Sequence, residues 1–228
     1  WKKRSVRRVI AALTTALFGG GIVLVLGKPF VEDVLDADVT GFFAIVTMLA
    51  FGAVIGIALV SVYSDRLVHR DIVFGAAMVL AGVGLAAASM TDTVFGASSW
   101  MLVMGVGAGS GYVMGFSFLH EVVTDDLRGR VFATLFALMR VGLFISMAFA
   151  VPLESAFGAI ETPVLFDDPT RTVLFFGGAV IVASGGTVLW ACRQTFSIPK
   201  LSQRARELVR DAAAARRTHY HRDEDADR

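Results

Sequence analysis

Gly105-Val106-Gly107-Ala108-Gly109-Ser110-Gly111-Tyr112-Val113-Met114-Gly115 lies in an uncharged apolar run that stops abruptly at His120-Glu121-Val122-Val123-Thr124-Asp125-Asp126-Leu127-Arg128-Gly129-Arg130. Gly107, Gly111 and Gly115 recur every four residues, with Gly105 and Gly109 offset from them. Glycines four apart stack on one side of a helix and let a neighbouring backbone come close. In a bilayer, where apolar burial drives little association, that closeness is a main source of packing energy. The run therefore predicts a membrane-spanning helix with a close partner. Beyond the polar hinge a second apolar run, Val131 to Val151, turns back, so the charged residues between them form a short loop at a membrane face.

The whole chain agrees with that reading. Of 228 residues 55% are hydrophobic and only 18% charged, where a soluble domain carries about 25% charged residues; mean hydropathy is +0.67. These values mark an integral membrane protein. The net charge of +1 hides a separation, with acids in two loops and Lys and Arg at the two ends. One cysteine, Cys192, leaves no internal disulfide or cysteine cluster, and no His-x-x-His or Cys-x-x-Cys spacing occurs, so no metal, cofactor or redox centre is expected. The start at Trp1, followed by basic residues without a small-residue cleavage site, reads as a piece of a longer polypeptide and not as a signal peptide.

Residues 1–8 form a basic lead-in, 9–192 a transmembrane domain and 193–228 a polar basic tail or linker. Six spans are expected at about 9–26, 40–63, 72–90, 100–119, 131–151 and 172–192. Gly27 to Val39 reads as an acidic loop broken by Pro29, and Pro152 to Arg171 as a second acidic loop. Arg66, Arg70, Arg128 and Arg130 fall in loops on one side, against only Lys28 and Arg171 on the other. Positive-inside counting then places both termini in the cytoplasm of a multi-pass cell-membrane protein.

The turn Ser61-Val62-Tyr63-Ser64-Asp65-Arg66-Leu67-Val68-His69-Arg70 resembles the signature loop of the major facilitator superfamily, Gly-x-x-x-Asp-Arg-x-Gly-Arg-Arg. Asp65, Arg66 and Arg70 match; Ser61, Val68 and His69 depart. Glu121 and Arg128, followed by Gly129-Arg130, are similar to the Glu-x6-Arg and Arg-Gly pattern at the cytoplasmic ends of helices ten and eleven of that superfamily. The resemblance implies an all-α membrane protein: the C-terminal half of a twelve-helix transporter, its six helices forming two inverted three-helix repeats. The partners implied are an N-terminal six-helix half of the same transporter and a small-molecule substrate held between the halves, in a lipid bilayer. Asp126-Leu127-Arg128-Gly129-Arg130-Val131-Phe132-Ala133 also looks like the branch of macrolide and siderophore exporters, which implies efflux.

Independently of any family, acids and bases at the ends of neighbouring helices form a charge network that one conformation holds and another releases. Asp65, Arg66, Arg70, Glu121, Arg128 and Arg130 are the candidate switch residues; anchoring to lipid headgroups is the plainer role for each loop. Arg140 is the one charge inside an apolar run, costing about 2.5 to 3.5 kcal/mol on insertion scales. It either meets an anionic substrate group or gate, or packs against carbonyls or an acid elsewhere. No Asp or Glu falls inside a span, so a proton-coupling carboxylate would belong to another part of the molecule.

Thr14, Tyr112, Ser110 and Ser117 are further cavity candidates, Ser110, Met114, Ser117 and Glu121 falling on one stripe, although Ser and Thr also bond to their own helix. Gly19-Gly20-Gly21 suggests a locally unwound point, with close packing as the alternative. The phenylalanines read as lipid-facing residues or filler. Leu201, Ala205, Leu208, Ala212 and Ala215, with arginines between, suit an amphipathic surface helix or a linker. No nucleophile, base and orienting residue share a site, so no enzyme is expected, and no nucleic-acid partner. A membrane anchor tethering a cytosolic partner, or a six-span unit that dimerises, remains open beside transport.

Overall fold

The computed structural model describes residues 2–63, 70–123, 125–159, 166 and 168–197, without the side chains of 2–8, 63, 70, 71, 122 and 192–197. Among the described residues six α-helices follow in order: α1 (Lys2–Pro29), α2 (Val39–Tyr63), α3 (Arg70–Ser89), α4 (Val94–Val122), α5 (Asp125–Gly158) and α6 (Pro169–Ser197). Each holds a stretch long and apolar enough to cross a bilayer, and no strand occurs among the described residues. The chain is a multi-pass, all-α membrane protein. It divides into two compact units, Trp1–Leu189 and Trp190–Arg228; the second contributes only the C-terminal stretch of α6 to the described residues.

The helices outrun the apolar segments that announce them. Pro29 does not break α1: the helix runs on through a π-helical turn, Phe30–Val34. Proline removes one backbone donor and crowds the turn before it, but leaves the chain after it free to continue, here as a widened turn. The Leu35 N–H accordingly reaches the Phe30 carbonyl at 3.1 Å, and burial of Phe30 and Val31 against Leu26 rewards the extension. The acidic loop expected from Gly27 shrinks to Leu35–Asp38. There Asp36 takes a left-handed conformation (φ 49°), which Asp tolerates better than most residues. Asp38 caps α2 by accepting from the backbone N–H groups of Thr40 (3.0 Å) and Gly41 (3.3 Å).

Similarly, α4 starts at Val94 and not near Trp100, because the Thr93 hydroxyl caps it by accepting from the Gly96 N–H at 3.2 Å. α5 starts at Asp125, inside the expected hinge loop, and continues through Pro152 to Gly158. Asp125 and Asp126 in its first turn favour that early start, since carboxylates are stabilised at the positive end of a helix. Gly19-Gly20-Gly21 is not unwound. Gly19 packs on Ile181 and the Gly177 carbonyl of α6, Gly21 on Ser146 and the Leu143 carbonyl of α5, and only Gly20 faces open space.

The glycine ladder of α4 serves two partners. A methyl on Gly105 or Gly109 would strike the Leu49 or Ala53 carbonyl of α2, and one on Gly52 or Gly56 would strike the Leu102 or Val106 carbonyl of α4. Gly107 and Gly111 instead face Ala77, Met78 and Ala81 of α3, and Gly115 meets Phe74 of α3 and Leu13 of α1. Contact positions on α2 and α4 rise together, so these helices run parallel; those on α3 and α4 run in opposite senses, so these are antiparallel.

The other half of the helices behaves alike. α1 runs parallel to α5, with Gly142 against Thr14 and the Ser146 hydroxyl donating to the Phe18 carbonyl. α1 runs antiparallel to α6, through Gly19 and a 3.4 Å bond from the Ser184 hydroxyl to the Ala12 carbonyl. Exchanging α1 with α4, α2 with α5 and α3 with α6 carries these pairings into themselves. α2 and α5 each present one small-residue stripe to a neighbour and leave large apolar side chains exposed elsewhere, such as Phe43, Phe51 and Val54, or Phe144, Ile145 and Phe149.

Candidate functional site

The hinge between α4 and α5 is shorter than the charges suggested. α4 closes with the Val123 N–H on the Leu119 carbonyl at 3.0 Å, and α5 begins two residues later. A helix leaves its last carbonyls without intrahelical donors, and one of them, that of His120, accepts from Arg128 Nη2 at 3.3 Å. The same nitrogen lies 2.8 Å from Asp125 Oδ1. Arg128 therefore belongs to the first turns of α5 but caps α4. A cation there also meets the negative end of the α4 dipole. Glu121 and Arg130 are exposed beside this cap. Asp65 and Arg66, and the side chain of Arg70, lie outside the described residues.

Just inside the hinge, rings from α4 and α5 meet. Tyr112 and Phe116 of α4 have centroids 4.5 Å apart, and Phe116 lies 5.8 Å from Phe132 and 5.7 Å from Phe136 of α5. His120 lies 4.5 Å from Phe132. Their planes are inclined by 31–41°, tilted faces and not edge-on crossings. Side chains four apart stand on one side of a helix, so Tyr112, Phe116 and His120 form one row and Phe132, Phe136 and Arg140 the facing row. Tyr112 and Phe136 are each nearly half exposed, at 49% and 45%.

Arg140, one turn past Phe136 on that α4-facing side, is exposed and makes no ion pair or hydrogen bond with a described residue. It stands ten residues beyond Arg130, about 15 Å along the helix, or roughly half the hydrocarbon thickness.

The remaining candidates have structural partners or other surroundings. The Ser110 hydroxyl donates to the Gly56 carbonyl of α2 at 3.2 Å, and the Thr14 hydroxyl to its own helix at the Ile10 carbonyl, 2.9 Å. Ser110 and Ser117 share a stripe with Met114, which is fully buried, and that stripe points about 160° away from Tyr112. Of the α4 candidates, only Tyr112 belongs to the aromatic cluster. Among the described residues no three His, Cys, Asp or Glu side chains converge as a metal site would need.

Two features escape a reading of the sequence. The aromatic cluster is present in the sequence as two rows at a spacing of four, a signal dispersed among many phenylalanines. The second lies at the opposite end of the bundle, where Arg171 at the start of α6 reaches Asp92 in the α3–α4 turn at 2.7 Å and Asp168 at 3.5 Å. The Arg171 side chain is only 12% exposed. Nearby the Thr170 hydroxyl donates to the Glu154 carboxylate, tying α6 to α5.

No family model matches the chain, and no curated protein matches it.

Proposed function

We propose that this chain is the C-terminal six-helix half of a major-facilitator-type secondary transporter, working by alternating access and exporting a small molecule across the cell membrane, with both termini in the cytoplasm. The observation that carries the reading is the exchange of helix pairings. α2 lies parallel on α4 as α5 lies parallel on α1, while the two pairs run in opposite senses. Such pairings are what two inverted three-helix repeats produce, and repeats of that kind underlie alternating access. The exposed apolar flanks of α2 and α5 then supply the faces against which an N-terminal six-helix half rocks, with the substrate between them.

In this reading the hinge is the cytoplasmic latch. Arg128, itself on α5, holds the end of α4 through the His120 carbonyl, and its second partner is the exposed Asp125 carboxylate one turn earlier on α5. Both contacts are of the weak, solvent-screened kind that a conformational change can afford to break. The signature-like turn with Asp65, Arg66 and Arg70 would act at the same membrane face.

Accessibility labelling tests the topology on which this rests. Cysteine introduced at Arg66 and at Arg128 of the full-length polypeptide, in a Cys192→Ser background, is expected to react with an impermeant thiol reagent from the same side of the membrane. Labelling from opposite sides would overturn the proposal. Solute uptake into inverted vesicles that is lost in Arg128→Ala, at unchanged membrane insertion, is the expected functional result.

A further inference from the structure

We propose that the exposed aromatic face where α4 meets α5 binds a planar aromatic anion: the rings of Tyr112, Phe116 and Phe136 stack its aromatic body, and Arg140 takes its carboxylate or equivalent anionic group. The proposal rests on reading this face as the substrate cavity and adds the class of molecule that enters it.

Three observations support it. Arg140 stands about 15 Å beyond Arg130 on α5, at a depth where a guanidinium in hydrocarbon is strongly disfavoured and calls for water and an anion. No carboxylate of the described residues supplies that anion. Its row on α5 runs Phe132, Phe136, Arg140, so the cation comes next after a ring already 5.7 Å from Phe116. The rings lie tilted face to face at 31–41° and the outermost, Tyr112 and Phe136, keep much of their surface open. A flat guest extends such a stack at little conformational cost, since the rings are already held in place. A phospholipid headgroup, by contrast, belongs at the interface and not at half the hydrocarbon depth.

The guanidinium offers a fork of N–H donors that matches a carboxylate bidentately. The Tyr112 hydroxyl adds a donor or acceptor at the same end as Arg140, since each is the member of its row farthest from the hinge.

The full-length polypeptide in lipid nanodiscs, titrated calorimetrically without any gradient, separates the contributions. The probes are 1-naphthaleneacetate, its neutral analogue 1-naphthaleneethanol, and octanoate, an anion of similar reach without a ring. Saturable binding of naphthaleneacetate about tenfold tighter than either of the others is expected, as one charge-assisted contact and one stacked ring would each supply. Arg140→Gln is expected to reduce naphthaleneacetate to the level of naphthaleneethanol, which itself is unaffected, and Arg140→Lys to restore part of the difference. Phe136→Leu, at a half-exposed position where folding is preserved, is expected to weaken both aromatic probes and spare octanoate.

Equal binding of octanoate would make the aromatic face an acyl-chain site, and equal binding of naphthaleneethanol would mean that an acid elsewhere in the protein already neutralises Arg140. Either result overturns the proposal, as does an Arg140→Gln variant that keeps the wild-type preference. Binding with the expected pattern but no transport would overturn the transport reading and leave the site standing. Transport of another solute with naphthaleneacetate unbound would do the reverse.

Discussion

Gly82 of α3 and Gly178 of α6 each stand against the other's carbonyl: a Cβ on Gly82 would lie 2.6 Å from the Gly178 oxygen, and one on Gly178 would lie 2.7 Å from the Gly82 oxygen. Neither obstacle is a movable side chain. Gly82→Ala or Gly178→Ala must push two helix backbones apart, and overpacking of this kind typically costs about 1 to 3 kcal/mol. Either alanine is expected to lower the midpoint of thermal unfolding in detergent. The double variant should cost less than the sum, because one displacement accommodates both methyls. Gly20→Ala, with nothing within 4 Å of its Cβ, is the matched control and should leave the midpoint unchanged or raise it slightly.

Ser146 offers a test of polar adhesion between spans. Its side chain is fully buried and its hydroxyl donates to the Phe18 carbonyl of α1. Ser146→Ala keeps the Cβ that fits against Gly21 and removes only the bond, so a loss of about 0.6 and at most about 1.7 kcal/mol is expected. Ser146→Val adds bulk against Gly21 and should be worse than alanine. Unfolding by a denaturing detergent, followed by circular dichroism, would rank the three.

Uninterrupted apolar runs made the six helices and their order legible, and the glycine spacing announced close packing. The ends of the helices were hidden, because they depend on local hydrogen bonds and not on hydropathy. Pro29 looks like a terminator until the π-turn bond from Leu35 to Phe30 is seen, and Asp125 looks like a loop residue until it is placed at a helix N-terminus. A spacing of four could not say that Gly105 and Gly109 serve α2 while Gly107 and Gly111 serve α3. At the candidate site, the polar hinge was visible but the capping of α4 by Arg128 was not. The pairing of Asp92 with Arg171 joins residues 79 apart and leaves no local trace.

That pair sets up an asymmetric outcome. The Arg171 side chain is 12% exposed, whereas that of Asp92 is 83% exposed. Removing the exposed partner, in Asp92→Asn, forfeits a screened contact of about 0 to 1 kcal/mol, and Asp168 still faces the guanidinium. Arg171→Gln removes the centre of both contacts, together with the packing of its long stem, and is expected to destabilise by about 1 to 3 kcal/mol. Thermal unfolding of the two variants at low and high salt would check the order; an Asp92 variant as damaged as the Arg171 variant would contradict it.

Arg128 combines a cap and a latch, and its variants can tell the two apart. Asp125→Asn leaves the bond to the His120 carbonyl and removes a partner whose side chain is 87% exposed, so stability and transport should both change little. Arg128→Lys retains the cation near the end of α4 but not the guanidinium nitrogen's reach to both partners, and should keep stability within about 0.5 kcal/mol. Arg128→Ala loses the cap as well, for about 1 kcal/mol at a half-exposed position. If the residue were only a cap, transport in vesicles would follow that modest order. A latch between conformations predicts instead a transport loss of about tenfold or more in Arg128→Ala, out of proportion to its stability. Transport that tracks the unfolding midpoint across all three variants would reduce Arg128 to a structural cap.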